Sequence, residues 1–346
     1  VKVAIYALAL NEEPRVQQFI DSAQEADYIV ILDTGSTDNT VGRARELGAI
    51  VVEYSSSDPL FNWARARNAS LEVVPQDADV CICLDMDETL EPGWRQALEE
   101  VWQGDVNYVR YSWQWRFGEG VSLEQVGDRI HARHGFRWKH RIYECLESTG
   151  APRVERLANI TVVNHLPSRG KDYLGQLERA VQEEPESERM QFYFARELMY
   201  HGSFAAAAGQ FKQYLKMGTW HLERAGAMQY LATLQPELAE SWLLRAVAEA
   251  PEWRDLWCSL TDLYYQSQDW DGVIWASERG LQIPNHVPYF NEPRSWGPFL
   301  WDMAALGHHH RSNKKRAIDL GRAALSFAPD DLRLRDNLNW YEMGIA

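Results

Sequence analysis

Two carboxylates, Asp85 and Asp87, stand one residue apart at the end of an unbroken apolar run, Val80–Leu84. Side chains alternate along a strand, so a pair spaced this way at a strand end projects to one side of the chain. Oxygen donors so placed suit a hard divalent cation, Mn2+ or Mg2+, which keeps several waters and needs one or two carboxylates. A third carboxylate, Asp33, ends an earlier apolar run and opens the polar stretch Asp33-Thr34-Gly35-Ser36-Thr37-Asp38. Further on, Arg129, Arg133, Arg137, Lys139 and Arg141 fall within thirteen residues, with His131, His134 and His140 among them. At ~4 Å and an effective dielectric near ~20, one such cation is worth about 4 kcal/mol to a phosphate charge before desolvation. One or two of these residues are expected to face an anion and the rest to lie at the surface.

Positioning these groups requires a scaffold, and the pattern of apolar runs supplies one. Val3–Leu10, Tyr28–Leu32, Ala49–Tyr54 and Val80–Leu84 read as strands, separated by helical patterns at Glu13–Ala26, Asp38–Leu47 and Asn62–Val74. Apolar strands interleaved with such helices predict a parallel sheet covered on both faces. Sheets of this kind bind ligands beyond the carboxyl ends of their strands, where the strand order reverses. Asn11-Glu12-Glu13, Asp33 and Asp85 all follow strands in this way. From about Lys171 the pattern becomes helical to the end. Met190–Met217, Gly226–Ala250, Asp255–Ile283 and Pro298–Ala328 each read as a helix pair, and three close on Ala250-Pro251, Ile283-Pro284 and Ala328-Pro329. A period of about 30–40 residues with proline at the exit resembles tetratricopeptide repeats. The expected domains are 1–170 and 171–346.

Composition narrows the function classes. The 346 residues are 45% hydrophobic and 25% charged, which excludes a mainly disordered chain. A formal charge of −15 opposes binding to duplex nucleic acid, which depends on Lys and Arg releasing counterions. The four cysteines have no paired spacing, so reduced thiols in a cytoplasmic protein are expected. The eight-residue run Val3–Leu10 is too short to span a membrane, and Asn11-Glu12-Glu13 follows it in place of a cleavage site.

The motifs admit several readings. Ile29–Ser36 matches the apolar-Asp-Thr-Gly-Ser signature of aspartic proteases, but that chemistry needs a second such aspartate and an all-β fold. Asp85-Met86-Asp87-Glu88-Thr89 fits the signature of haloacid-dehalogenase-like phosphatases, with Asp85 as nucleophile and Asp87 as acid/base. There the motif ends the first strand; here three strand–helix units precede it. A third reading uses the motifs together. Glu12 after the first strand, Asp33 after the second, Phe61-Asn62-Trp63-Ala64-Arg65-Ala66-Arg67-Asn68 and then Asp85-Met86-Asp87 resemble, in order and spacing, family 2 glycosyltransferases over residues 1–170. One branch of that family carries tetratricopeptide-like repeats after the catalytic domain.

The resemblance implies a Rossmann-like, mostly parallel GT-A fold followed by an all-α repeat domain. It implies inverting transfer of a sugar from a nucleotide donor, a UDP-sugar, with a divalent metal. It places Asp85 at the donor, Asp87 on the metal, Asp33 against the uracil or ribose, and Glu12 with the Leu8 backbone in the nucleotide pocket. Arg67 lies in the matching Ala-Arg-Asn segment, and Arg129 is assigned to the diphosphate. His165, in Val162-Val163-Asn164-His165-Leu166-Pro167, corresponds to a late histidine that such enzymes recruit as a metal ligand. Where the repeat-bearing branch has a His-Glu pair, this chain has Tyr143-Glu144. An inverting transfer needs a carboxylate to take the acceptor proton, which assigns Glu144 as the base, with Asp128 as substitute. Trp113, Trp115 and Phe117 share one face of a strand and suit either a sugar-stacking wall or core packing. The acceptor is a protein or glycan near the repeats. A repeat-based scaffold without activity is the alternative from another class.

Overall fold

The computed structural model describes residues 1–56, 58–117, 120–150, 152–165, 173–287 and 289–343. The chain forms two compact units, Val1–Ala180 and Val181–Ala346. The boundary expected at 170/171 lies outside the described residues.

The first unit runs β1 (Val3–Ala9), α1 (Glu13–Ser22), β2 (Tyr28–Asp33), α2 (Thr40–Glu46), β3 (Ile50–Glu53), α3 (Trp63–Val73), β4 (Val80–Cys83), β5 (Glu88–Leu90), α4 (Trp94–Val101), β6 (Tyr108–Phe117), β7 (Gly120–Ala132), β8 (Phe136–Lys139), β9 (Cys145–Ser148) and β10 (Glu155–Asn164). Eight strands form one sheet in the order β3-β2-β1-β4-β7-β6-β10-β5, while β8 and β9 pair separately. β3, β2, β1 and β4 are mutually parallel, and β7 joins antiparallel to β4. As expected, alternate residues of β1 serve opposite faces: Val3, Ile5 and Ala7 enter one core with α1 and α4, and Ala4 and Tyr6 another with α3 and β8. Asn62 caps α3 through its side chain, which accepts from the Arg65 amide at 3.0 Å.

The β6–β7 pairing shifts register between Val109 and Tyr111, so that Asp128 and Arg129 together oppose Arg110. Such a bulge re-aims the side chains of the longer strand. Beside it, a Cβ on Gly127 would lie 2.2 Å from the buried Tyr111 ring, so this position has room for hydrogen only.

Beneath the sheet, His131 donates from Nδ1 to the Ala132 carbonyl (2.8 Å), and its Nε2 accepts from the Tyr6 hydroxyl (2.9 Å). Tyr6 in turn accepts from the Trp138 indole at 2.8 Å. This chain of bonds requires a neutral imidazole, and burial pushes the His131 pKa down to about 4. A group depressed on folding stabilises above its unfolded value and loses that contribution as pH falls. Urea unfolding should therefore give about 2 kcal/mol less stability at pH 5 than at pH 7 from this residue. The His131→Gln variant should lose that part of the slope; an identical slope would show that His131 is not its source.

α5 (Leu174–Glu183) leads into the second unit, which contains α6 (Glu188–Tyr200), α7 (Phe204–Tyr214), α8 (His221–Leu234), α9 (Ala239–Glu249), α10 (Arg254–Gln266), α11 (Trp270–Leu281), α12 (Pro293–Trp296), α13 (Phe299–His310), α14 (Lys314–Phe327) and α15 (Leu332–Met343). The four expected helix pairs are α6/α7, α8/α9, α10/α11 and α13/α14. α9, α11 and α14 stop just short of the residues that precede Pro251, Pro284 and Pro329, since a residue before proline disfavours helix. α13 packs closely on α11: a Cβ on Gly307 would sit 2.7 Å from Ile274. His308, His309 and His310 form the last turn of α13. There His310 stacks on Trp270 at 3.8 Å and His309 packs on Trp340, and these aromatic partners continue the helix past the apolar stripe. Among the described residues no helix is long and apolar enough to cross a membrane.

Candidate active site

The parallel strands β1, β2 and β4 end at one edge of the sheet, and the chain order reverses between β1 and β4. Asp33 is the last residue of β2, beside Ala9. Its Oδ2 accepts from the amides of Gly35 (3.1 Å) and Ser36 (3.0 Å). Its Oδ1 is buried with no hydrogen-bond partner, a costly state that points to an absent donor. The flanking loops are stitched together. Asn11, at φ +55°, donates its amide to Ser36 Oγ (2.8 Å), and its side chain accepts from the Thr37 amide at 2.7 Å. The Glu12 amide donates to Thr40 Oγ1 (2.8 Å) while its carboxylate pairs with Arg15. Asp38 accepts from the first amide of α2, Thr40, at 3.0 Å, and its hydrogen bonds, the Thr40 hydroxyl foremost, lower its pKa. Leu8 is half-buried opposite Leu32.

β4 ends at Cys83, so Asp85 and Asp87 lie in a turn and strand alternation does not orient them as expected. Ion pairs orient Asp85 instead. Arg67, buried on α3, donates from Nη2 to Asp85 Oδ1 (2.6 Å), from Nε to Glu144 Oε1 (2.5 Å) and from Nη1 to Cys83 Sγ (3.1 Å). Its guanidinium lies over the Trp138 ring, 5.1 Å from the centroid. Arg129, aimed by the bulge, donates from Nη1 to Asp85 Oδ2 at 2.9 Å and to Glu88 Oε2 at 3.4 Å. Burial alone would raise the Asp85 pKa, but Arg67 and Arg129 outweigh it and hold the carboxyl well below the usual range. Burial pushes the Cys83 thiol up to about 11, so it stays neutral beneath the guanidinium.

Asp87 has the opposite electrostatics. Burial first, and then the nearby Asp85 charge, raise its pKa. A cation at this tip would relieve both penalties, so its oxygen donor fits a hard divalent ion. The His165 amide donates to the Asp87 carbonyl at 3.0 Å, which brings the histidine beside the turn. Its ring Nε2, however, lies 2.7 Å from Thr89 Oγ1 and 3.3 Å from Gln18 Nε2. Among the described residues no three His, Cys, Asp or Glu side chains are grouped to hold a metal. Leu166 and Pro167, which complete the expected motif, lie outside the described residues.

Arg133 and Arg141 are buried, contrary to the expectation that the rest of the basic cluster lies at the surface. Arg133 donates to the Glu72 and Val74 carbonyls at the end of α3, groups that a helix terminus leaves unpaired. Arg141 holds the Leu60 carbonyl (2.6 Å) and Asp58 (2.8 Å). Arg137 and Lys139 are exposed.

Sequence reasoning missed Glu88. It begins β5 and is 1% exposed. Its carboxylate accepts from the Asp85 amide (2.8 Å) and the Trp113 indole (2.7 Å). The available signal was its position three residues after Asp85, a spacing at which a carboxylate reaches back to a backbone amide. Trp113 accordingly packs against the core of this unit. The side chain of Phe117 lies outside the description.

Residues 5–152 match the family described as glycosyl transferase family 2. The chain is similar to the lipopolysaccharide core biosynthesis glycosyltransferase LpsC of Rhizobium meliloti (strain 1021), 28% identical over 150 residues, which are 40% of this chain and 52% of that protein. It thus spans about half the length of that curated relative. Among solved structures, it is similar to glucosyl-3-phosphoglycerate synthase from Mycobacterium tuberculosis, crystallised with Mn2+, UDP and glucosyl-3-phosphoglycerate. That match is 25% identical, covers 33% of this chain and 44% of the other, and has a TM-score of 0.28. TTC0263, a thermophilic TPR protein of Thermus thermophilus, is 18% identical over 49% of this chain and 89% of its own, at a TM-score of 0.31. The matched residues 5–152 carry the reversal point of the sheet and the Asp33, Asp85 and Asp87 tips, so the similarity to glycosyl transferase family 2 falls on the candidate site.

Proposed function

We propose that this chain transfers a sugar from a nucleotide donor, a UDP-sugar, to an acceptor with inversion, using a divalent cation. The observation that carries the reading is the buried, partnerless Asp33 Oδ1 at the strand edge shared with the Asp85–Asp87 turn. Two strand spacings separate them, roughly 10 Å, a span that suits a nucleoside at one end and its phosphates at the other. The uracil N3–H would donate to Asp33 Oδ1, with Glu12 and the Leu8 backbone lining the pocket. Asp85, fixed by Arg67 and Arg129, faces the ribose, and Arg129 adds positive charge toward the diphosphate. Asp87 would hold Mn2+ or Mg2+ with His165 as a further ligand; the bound ion stabilises the charge that grows on the leaving diphosphate. Glu144 takes the acceptor proton, and Arg67 keeps it on the Asp85 side of the sheet.

The phosphatase alternative needs an Asp85 oxygen open for in-line attack, and both oxygens are held by guanidinium groups. The acceptor is a protein or glycan recognised by the helical unit; helix-pair arrays of this kind present extended binding surfaces. The four thiols, none of them in a disulfide, agree with a cytoplasmic setting. Incubation with a panel of UDP-sugars and Mn2+ should release UDP, slowly to water and faster with acceptor. If no nucleotide sugar is turned over or bound while p-nitrophenyl phosphate is hydrolysed, the phosphatase reading replaces this one.

A further inference from the structure

The Asp85–Glu88 turn closes on itself. The Glu88 amide donates to the Asp85 carbonyl at 2.9 Å, and Glu88 Oε2 accepts from the Asp85 amide at 2.8 Å. The same carboxylate reaches two other strands: Oε1 accepts from the indole of Trp113 on β6, and Oε2 from Arg129 on β7. Behind it, β5 pairs with β10 so that Glu88 stands opposite Asn164, next to His165, whose amide holds the Asp87 carbonyl. The turn is thus tied at its first residue by Glu88 and at its third by the end of β10. Loop tips on a sheet edge are ordinarily mobile, whereas this one is clamped from below by a fully buried side chain.

We propose that Glu88 is a positioning residue that sets the register of Asp85 and Asp87 toward one shared ligand, with Trp113 as its anchor in the core. The proposal rests on the reading of this tip as a nucleotide–cation site, and it concerns a residue that contacts neither ligand. A carboxylate with both oxygens turned to fixed donors suits this task better than an amide would. In Glu88→Gln one oxygen becomes an NH2, which then faces either the Asp85 amide or the Trp113 indole, donor against donor. The tether opens at one end while the volume stays the same. In Trp113→Phe an aromatic ring remains in the core while the N–H is lost together with part of the indole's volume, so the carboxylate keeps its turn contact without its anchor.

Residues that orient a metal ligand from behind typically change ligand affinity by about 10–100-fold when altered. Titration calorimetry of the full chain with UDP plus Mn2+ should show a loss of that size for Glu88→Gln and a smaller loss for Trp113→Phe. Circular dichroism should show both variants folded, because a role limited to stability would leave affinity unchanged. Amide hydrogen exchange of the ligand-free protein should be faster at Asp85 in Glu88→Gln by at least about tenfold, as expected for an opened tether. Wild-type affinity in Glu88→Gln overturns the proposal, as does wild-type affinity in Trp113→Phe if the first variant does not fold. Should the wild-type chain bind no UDP with Mn2+, the reading of the tip fails instead. The tether is then judged by exchange alone, and unchanged Asp85 exchange overturns it too.

Discussion

Asp87→Ala should abolish Mn2+-dependent donor binding and lower turnover by at least about 1000-fold. Stabilising charge on a leaving diphosphate is worth several kcal/mol, and about 1.4 kcal/mol corresponds to tenfold in rate. Asp87 is the group at this tip with no guanidinium on it, whereas Asp85 is held by Arg67 and Arg129. Its raised pKa, caused first by burial and then by the Asp85 charge, marks a carboxylate that is costly to ionise without a cation beside it. Removing the carboxylate takes away both the oxygen donor and that cost. The variant should fold at least as well as the parent, since it loses a strained charge and no ion pair. Donor binding by calorimetry with and without Mn2+ reads the effect, and unchanged affinity would remove Asp87 from the site.

Glu144→Gln should retain donor affinity and lower kcat by at least about 100-fold, the lower scale for a general base. The amide oxygen of glutamine still accepts from Arg67 Nε, so the guanidinium stays in place over Trp138 and continues to hold Asp85. What disappears is the ability to receive a proton. Single-turnover kinetics with saturating donor separate the two effects. Near-normal turnover would move the role to Asp128, whose exposed side chain lies in the β7 bulge next to Arg129.

The parts of the fold set by neighbouring residues were legible from sequence. β1, β2, β4 and α3 end within one to three residues of the apolar runs and of the Asn62 cap, because both are local signals. The four helix pairs were likewise readable from spacing, three of them also from the prolines that follow. Partnerships across the sheet were not. Arg67 and Glu144 are 77 residues apart and pair directly, with Asp85 on the same guanidinium; Glu88 finds Trp113 only once β6 is in register. Arg133 and Arg141 read as surface charge because their partners, backbone carbonyls and for Arg141 also the distant Asp58, are not revealed by composition. The turn between β4 and β5 was oriented from strand alternation, a rule that stops applying two residues before the first carboxylate.

The absent side chain at residue 127 governs charge placement two residues away. Tyr111 fills the space above Gly127, and the offset that follows turns Arg129 inward. A single methyl group there would push the phenol ring aside and let β7 slide back into even pairing with β6. The guanidinium would then swing off its carboxylates, leaving an acidic notch with one cation where there had been two. A packing constraint on the smallest residue thereby sets the electrical balance of the whole sheet edge.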